Sequence, residues 1–276
     1  MRNVAEIFVG LGLADRAVGQ VGPVIPPLPE QAADFEAIPD VSDFYPPPRE
    51  EMLALRPDFV LVYGDFDYDA SQSLATREQL KTAGAEVYEL ACPENDYSGE
   101  NLDAVYRTIL DLGTIFGVSD RAQARVEQMR QQIADVQAKV SDEPPVKVLY
   151  YYGGTGPIGT RGGVGIIDEV IEAAGGENVF AAEQSLYLRV PREEVAATAP
   201  DVFIVIAETP SEGPPTETLD ASEPFEFLYQ TFPLLPASVN RRGIVFDDIR
   251  MGSAGWRVAQ TIEDLARQLH PDAFAQ

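Results

Sequence analysis

Residues 48–62, PREEMLALRPDFVLV, return at residues 191–205 as PREEVAATAPDVFIV, with eight of fifteen positions identical. The identities are Pro48/Pro191, Arg49/Arg192, Glu50/Glu193, Glu51/Glu194, Ala54/Ala197, Pro57/Pro200, Asp58/Asp201 and Val62/Val205. A repeat of this kind constrains the fold before anything else, because each copy has to build the same local unit. Proline pre-sets φ for a helix start, and two glutamates fill the first turn, where the helix dipole favours negative charge. The short helix stops ahead of Pro-Asp, since the residue before a proline avoids the α region. A continuous apolar run follows in each copy, Phe59-Val60-Leu61-Val62 and Val202-Phe203-Ile204-Val205, the pattern of a parallel strand covered on both faces. A fainter match lies upstream: Glu6-Ile7-Phe8 leading to Gly12, and Glu169-Val170-Ile171 leading to Gly175, each a helix closed by glycine. The spacing of the two matches differs, which predicts two diverged α/β lobes and not a solenoid.

Between the copies, Ala122, Val126, Met129, Ile133, Val136 and Val140 step by four and three. That is one apolar stripe on a helix of twenty-odd residues, roughly 30 Å long, stopped by Pro144-Pro145. An earlier helix is expected from about Asn101 to Phe116, ending at Gly117. The second lobe opens with a strand, Val146 to Tyr151, and a glycine-rich loop. It continues with a helix from about Val164 to Ala174 and closes with a strand, Gly243 to Asp247, and a helix, Gly255 to Leu269. The expected fold is α/β: two Rossmann-like lobes with mainly parallel sheets, joined by one long interlobe helix. The expected boundaries are 1–118, 119–142 and 143–276, with the first strand of the N-terminal lobe missing.

Composition excludes several functions. Twenty Lys and Arg face 45 Asp and Glu, for a net charge of −25; such a surface repels phosphate backbones and argues against nucleic-acid binding. It suits solubility in a salty habitat and names no ligand. One cysteine, Cys92, rules out an intrachain disulfide framework and a multi-cysteine zinc site. One histidine, His270, followed by Pro271, reads as a helix-end residue and leaves a Ser-His-Asp triad nothing to build on. No apolar stretch is long enough to span a bilayer. The N-terminus shows no signal peptide or lipobox, because Glu6 interrupts the short run Val4, Ile7, Phe8, Leu11 and no small-residue cleavage site follows.

The segment Gly154-Thr155-Gly156-Pro157-Ile158-Gly159 has the bare spacing of a dinucleotide fingerprint. Pro157 removes a backbone donor, however, and the next helix starts too late. The segment reads as a loop at the carboxyl end of a strand, where open α/β sheets place ligands. Aromatic residues gather at such ends: Tyr63, Phe66 and Tyr68 after the first repeat, Tyr150, Tyr151 and Tyr152 after the strand at 146–151, and Tyr45 and Tyr187 ahead of the two repeats. Arg161, Arg189, Arg250 and Trp256 stand in loop-like contexts. Aromatic walls with a few arginines fit a bulky, partly anionic ligand, while about half of these tyrosines are expected to pack in the core. Asp65, Asp67 and Asp69 alternate, but the loop lacks the glycine and closing glutamate of an EF-hand, so no metal site is expected. Glu50 and Glu193 are first-turn carboxylates by one reading. By another, they present one carboxylate per lobe to arginines of a two-fold partner.

The paired repeats, the AAGGENVF segment (Ala173 to Phe180), the long central helix and the LHPDAF tail (Leu269 to Phe274) resemble the helical-backbone substrate-binding proteins of ABC importers, which serve ferric siderophores, haem, cobalamin and some metal ions. The resemblance implies a non-enzymatic capture protein, periplasmic or at the cell surface, with no cofactor of its own. It implies a ligand cleft at the strand carboxyl ends, with Tyr45, Tyr63, Phe66, Tyr68, Tyr152, Arg161, Tyr187, Arg189, Arg250 and Trp256 facing a metal chelate of the ferric-siderophore type. Glu50 and Glu193 match the positions that dock on the permease dimer. The scarcity of histidine disfavours the zinc and manganese branch. Haem or cobalamin binding by the same fold, a two-lobed chelatase-like enzyme, and a cytoplasmic interaction domain are the alternatives.

Overall fold

In the computed structural model, residues 4–21, 26–42, 46–62, 74–90, 101–207, 221–247, 251 and 255–275 are described. They fall into two compact units. One holds the residues up to Val126 together with Gly255 and Trp256, and the other holds the remainder.

The first unit comprises α1 (Val4–Gly10), β1 (Gln20–Val21), α2 (Ala32–Glu36), β2 (Asp40–Ser42), α3 (Arg49–Ala54), β3 (Phe59–Val62), α4 (Arg77–Thr82), β4 (Glu86–Glu89), α5 (Leu102–Ile115) and the start of α6 (Ser119–Val140). β1 pairs with β2 and β3 with β4, both in parallel. A seam of rings ties these elements together. Phe8 meets Phe116 edge to face at 5.1 Å, Phe116 meets Phe59 at 5.1 Å, and Phe59 stacks on Tyr88 at 6.5 Å. Tyr88 then donates a hydrogen bond to Asp111 at 2.8 Å.

All six stripe residues of α6 are buried, at 0–7% exposure, as the step of four and three requires. Beside this stripe, Arg121 donates to the Leu11 carbonyl at 2.6 Å, closing the end of α1. Arg125 donates to the Trp256 carbonyl at 2.5 Å, with its guanidinium 4.4 Å from the indole centroid. The indole lies flat on Gly10, where a Cβ would stand 2.4 Å from the ring.

The second unit comprises the rest of α6, β5 (Val146–Tyr151), β6 (Ile158–Thr160), α7 (Ile166–Ala173), β7 (Gly176–Asn178), β8 (Leu188–Val190), α8 (Arg192–Thr198), β9 (Val202–Ala207), α9 (Ser222–Thr231), α10 (Pro236–Val239), β10 (Gly243–Asp247) and α11 (Val258–Leu269). Its parallel sheet has the order β10-β9-β5-β7. In chain order this is fourth, third, first, second, so the strand order reverses between β5 and β9. Ligands of open α/β sheets bind outside the carboxyl ends at such a reversal. Leu149, Tyr151, Phe203 and Val205 line one face over Val195, Phe180 and Leu228.

The two copies of the repeat fold alike. Pro48 and Pro191 stand before the helices with φ of −52° and −56°. Arg56 and Ala199, each the residue before the second proline, both take a left-handed conformation, with φ of 50° and 46°. One expectation is corrected: residues 153–165 are not loop throughout. Ile158–Thr160 pairs antiparallel with Leu188–Val190, so Arg189 lies on a strand and Arg161 directly follows one. Among the described residues no helix is long and apolar enough to cross a membrane.

Candidate ligand-binding site

β5 carries three tyrosines to its carboxyl end, and burial sorts them. Tyr150 and Tyr151 are core residues at 0% and 6% exposure, while Tyr152, past the strand end, is partly exposed. The Tyr151 hydroxyl, its pKa pushed up by burial, donates to the Gly154 carbonyl at 3.2 Å. The Tyr152 hydroxyl donates to the Leu188 carbonyl at 3.3 Å, and its N–H to the Gly159 carbonyl at 3.1 Å. These bonds fold the glycine-rich segment back over the strand end.

The β6–β8 pair then gathers a cluster. The rings of Tyr152 and Tyr187 meet edge to face with centroids 6.0 Å apart. The Arg161 guanidinium sits 3.8 Å from the Tyr187 ring and 5.2 Å from the Tyr152 ring, and the Arg189 guanidinium 5.3 Å from the Tyr152 ring. Tyr187 is 54% exposed. Nearby, Arg192 donates to the Thr155 carbonyl and lies 5.6 Å from the Phe227 ring. Among the described residues, none of Arg161, Arg189 and Arg192 forms an ion pair. In a chain with 45 acidic residues against 20 basic ones, three arginines with aromatic and carbonyl partners but no carboxylate among the described residues make a local cationic surface.

Asn178 holds this surface in place. Its buried amide donates to the carbonyls of Arg161 (3.3 Å) and Gly162 (3.1 Å) and to Asp168 (2.8 Å), and its oxygen accepts from the Phe180 N–H at 3.1 Å. The chain after Arg161 also runs tight against residues 181–185: a Cβ on Gly163 would lie 1.9 Å from the Ala181 carbonyl oxygen. Reasoning from exposed aromatics and arginines passes over Asn178; the signal available was the polar pair Glu177-Asn178 set between small and apolar residues in the Ala173–Phe180 segment.

Among the other expected site residues, Trp256 packs in the first unit between Gly10 and Arg125. Tyr45, Tyr63, Phe66, Tyr68 and Arg250 lie outside the described residues, as do Cys92, Asp65, Asp67 and Asp69. Glu50 and Glu193 stand exposed in the first turns of α3 and α8. They differ in their neighbours. Arg49 bonds to Glu50 at 2.5 Å and holds that carboxyl below its ordinary range, whereas the equivalent Arg192 turns to Thr155. His270 caps the end of α11, its Nε2 2.9 Å from the Gly175 carbonyl oxygen.

Residues 2–242 match the family described as "Periplasmic binding protein". Over its whole length the chain is 23% identical to the uncharacterized ABC transporter substrate-binding lipoprotein YvrC of Bacillus subtilis (strain 168), covering 80% of that protein. It is 25% identical over 204 residues to the vitamin B12-binding protein of Yersinia pestis (strain Pestoides F), covering 74% of this chain and 66% of that one. The crystal structure of a periplasmic binding protein from Veillonella parvula DSM 2008 superposes with a TM-score of 0.85 at 21% identity, over 98% of this chain and 89% of that one.

Proposed function

The chain belongs to the periplasmic binding protein family, and from that premise we propose that it is the solute-capturing component of an ABC importer whose ligand is an anionic iron–siderophore-type chelate. The observation that carries the reading is the pair Arg161 and Arg189, without a carboxylate partner among the described residues and packed on Tyr152 and Tyr187 at the carboxyl end of β5. A ferric catecholate or carboxylate complex offers aromatic faces to the tyrosines and anionic oxygens to the guanidiniums. Haem is the second reading, favoured by the exposed Tyr187 ring: a flat macrocycle with two carboxylates matches one ring and two arginines. The role is capture without turnover, outside the cytoplasmic membrane. Glu50 and Glu193, at equivalent points of two helices, are the groups proposed to meet arginines of the permease dimer.

The test is a fluorescence-quenching titration of the full chain with ferric hydroxamate, ferric tris-catechol, haem and cobalamin. Saturable binding of ferric tris-catechol, weakened about tenfold or more by Arg161→Ala or Arg189→Ala, is the expected result. Tight haem binding selects the second reading. Preference for cobalamin or the uncharged hydroxamate, indifferent to both substitutions, removes the cluster from the site.

A further inference from the structure

The two copies of the repeat carry the same arginine, and the structure gives it two different jobs. Arg49 lies on its neighbour Glu50. Arg192 leaves Glu193 and reaches the Thr155 carbonyl, while its guanidinium rests near Phe227. Phe227 stacks on Tyr151 at 6.1 Å, and Tyr151 bonds to Gly154, one residue before Thr155. The loop at 153–157 is thus held at adjacent carbonyls, by Tyr151 from the strand beneath it and by Arg192 from the first turn of α8. Gly153 and Gly154 take φ of 120° and 91°, so this loop has backbone states that an ordinary residue would forbid. The Gly159 N–H closes it from one side by donating to the Gly153 carbonyl at 2.7 Å, and the two side chains hold the carbonyls that follow. On the other side, the N–H groups of Glu194 and Val195 both donate to Pro191, so the turn carrying Glu193 is a single hydrogen-bonded unit with Arg192 as its first residue.

We propose that Arg192 is a strut that couples the ligand-side loop 153–157 to the helical turn carrying Glu193, so that displacement of the loop changes how that carboxylate is presented. The functional part of this inference rests on the capture role proposed above. Coupling of this kind is reciprocal: loosening the loop loosens the turn, and cutting the strut loosens both. Arg192 is a positioning residue in this scheme, since it acts through the loop and through its neighbour.

Amide hydrogen exchange on the full chain without ligand tests the strut through a mutant cycle. Tyr151→Phe releases the loop's other anchor. It should raise exchange at residues 194–195 by about threefold in the parent chain, the loss of roughly one net hydrogen bond, and by nothing further in an Arg192→Gln background. Arg192→Gln alone should raise exchange at Gly159, whose N–H donates to the Gly153 carbonyl of the loop, and Arg192→Lys, which keeps a charged donor, should restore part of the protection. Equal effects of Tyr151→Phe in both backgrounds, or a loop unchanged by Arg192→Gln, would overturn the strut. Adding ferric tris-catechol should then protect both segments together. Absence of binding overturns the catecholate reading and leaves the ligand-free cycle to decide the strut.

Discussion

At the scale of single residues, the most exposed consequence of the packing is titration. Tyr88 is half-buried beneath Phe59 and donates to Asp111; burial first, and the Asp111 carboxylate second, push its pKa up to about 12. The folded state therefore holds the Tyr88 proton where the unfolded chain, with an ordinary tyrosine value near ~10, has released it. The stabilisation is complete below about pH 10 and is lost as pH rises through about 12. Urea melts across this window should show the parent chain losing stability faster than Tyr88→Phe, which has no phenol to ionise. Identical alkaline branches would place Tyr88 in water. Asn178 belongs to the same scale and shows why it escaped sequence reasoning. Three of its four partners, Arg161, Gly162 and Asp168, are ten to seventeen residues away in the chain, and no local pattern reports such pairings.

At the scale of elements, the repeat makes a sharper statement than sequence identity alone. Arg56 and Ala199 differ in type yet share a left-handed backbone ahead of a proline, so the turn geometry is common to both copies while the side chain is not. A β-branched residue suits that conformation worst. Ala199→Val should therefore cost about 1–2 kcal/mol and Ala199→Gly little or nothing, as read from denaturant midpoints at constant slope. A Val variant as stable as the parent would show that the turn yields without strain. Periodicity also made the long helix legible, because every third or fourth residue from Ala122 to Val140 reports one face. β6 and β8 were not legible: three-residue strands take their identity from the partner across the ladder, and glycine and proline dominate the chain beside β6. Tyr150 and Tyr151 packed in the core and Tyr152 emerged from it, a sorting set by where β5 ends.

At the scale of the whole molecule, the excess of acid over base governs behaviour in salt. A net charge of −25 stores self-repulsion in the compact state, and the screening length falls from about 10 Å at 0.1 M to about 3 Å at 1 M. Thermal midpoints should rise as potassium chloride increases, by about 2–4 °C for each kcal/mol of repulsion relieved. A midpoint that falls with salt would mean that attractive ion pairs outweigh the repulsion. The long-range placement of Trp256 has a further bearing, on the making of the protein. Gly10 and Arg125 are finished early in synthesis, yet the indole and carbonyl they hold come from residue 256. At ribosomal speeds of about 5–20 residues per second, the stretch from Arg125 to Trp256 takes about 7 to 26 seconds to emerge. For that interval Gly10 and Arg125 have yet to meet the indole and the carbonyl of Trp256. The N-terminal unit gains this partly buried ring only when almost the whole polypeptide has been translated, so a ribosome stalled before that point carries an unfinished domain.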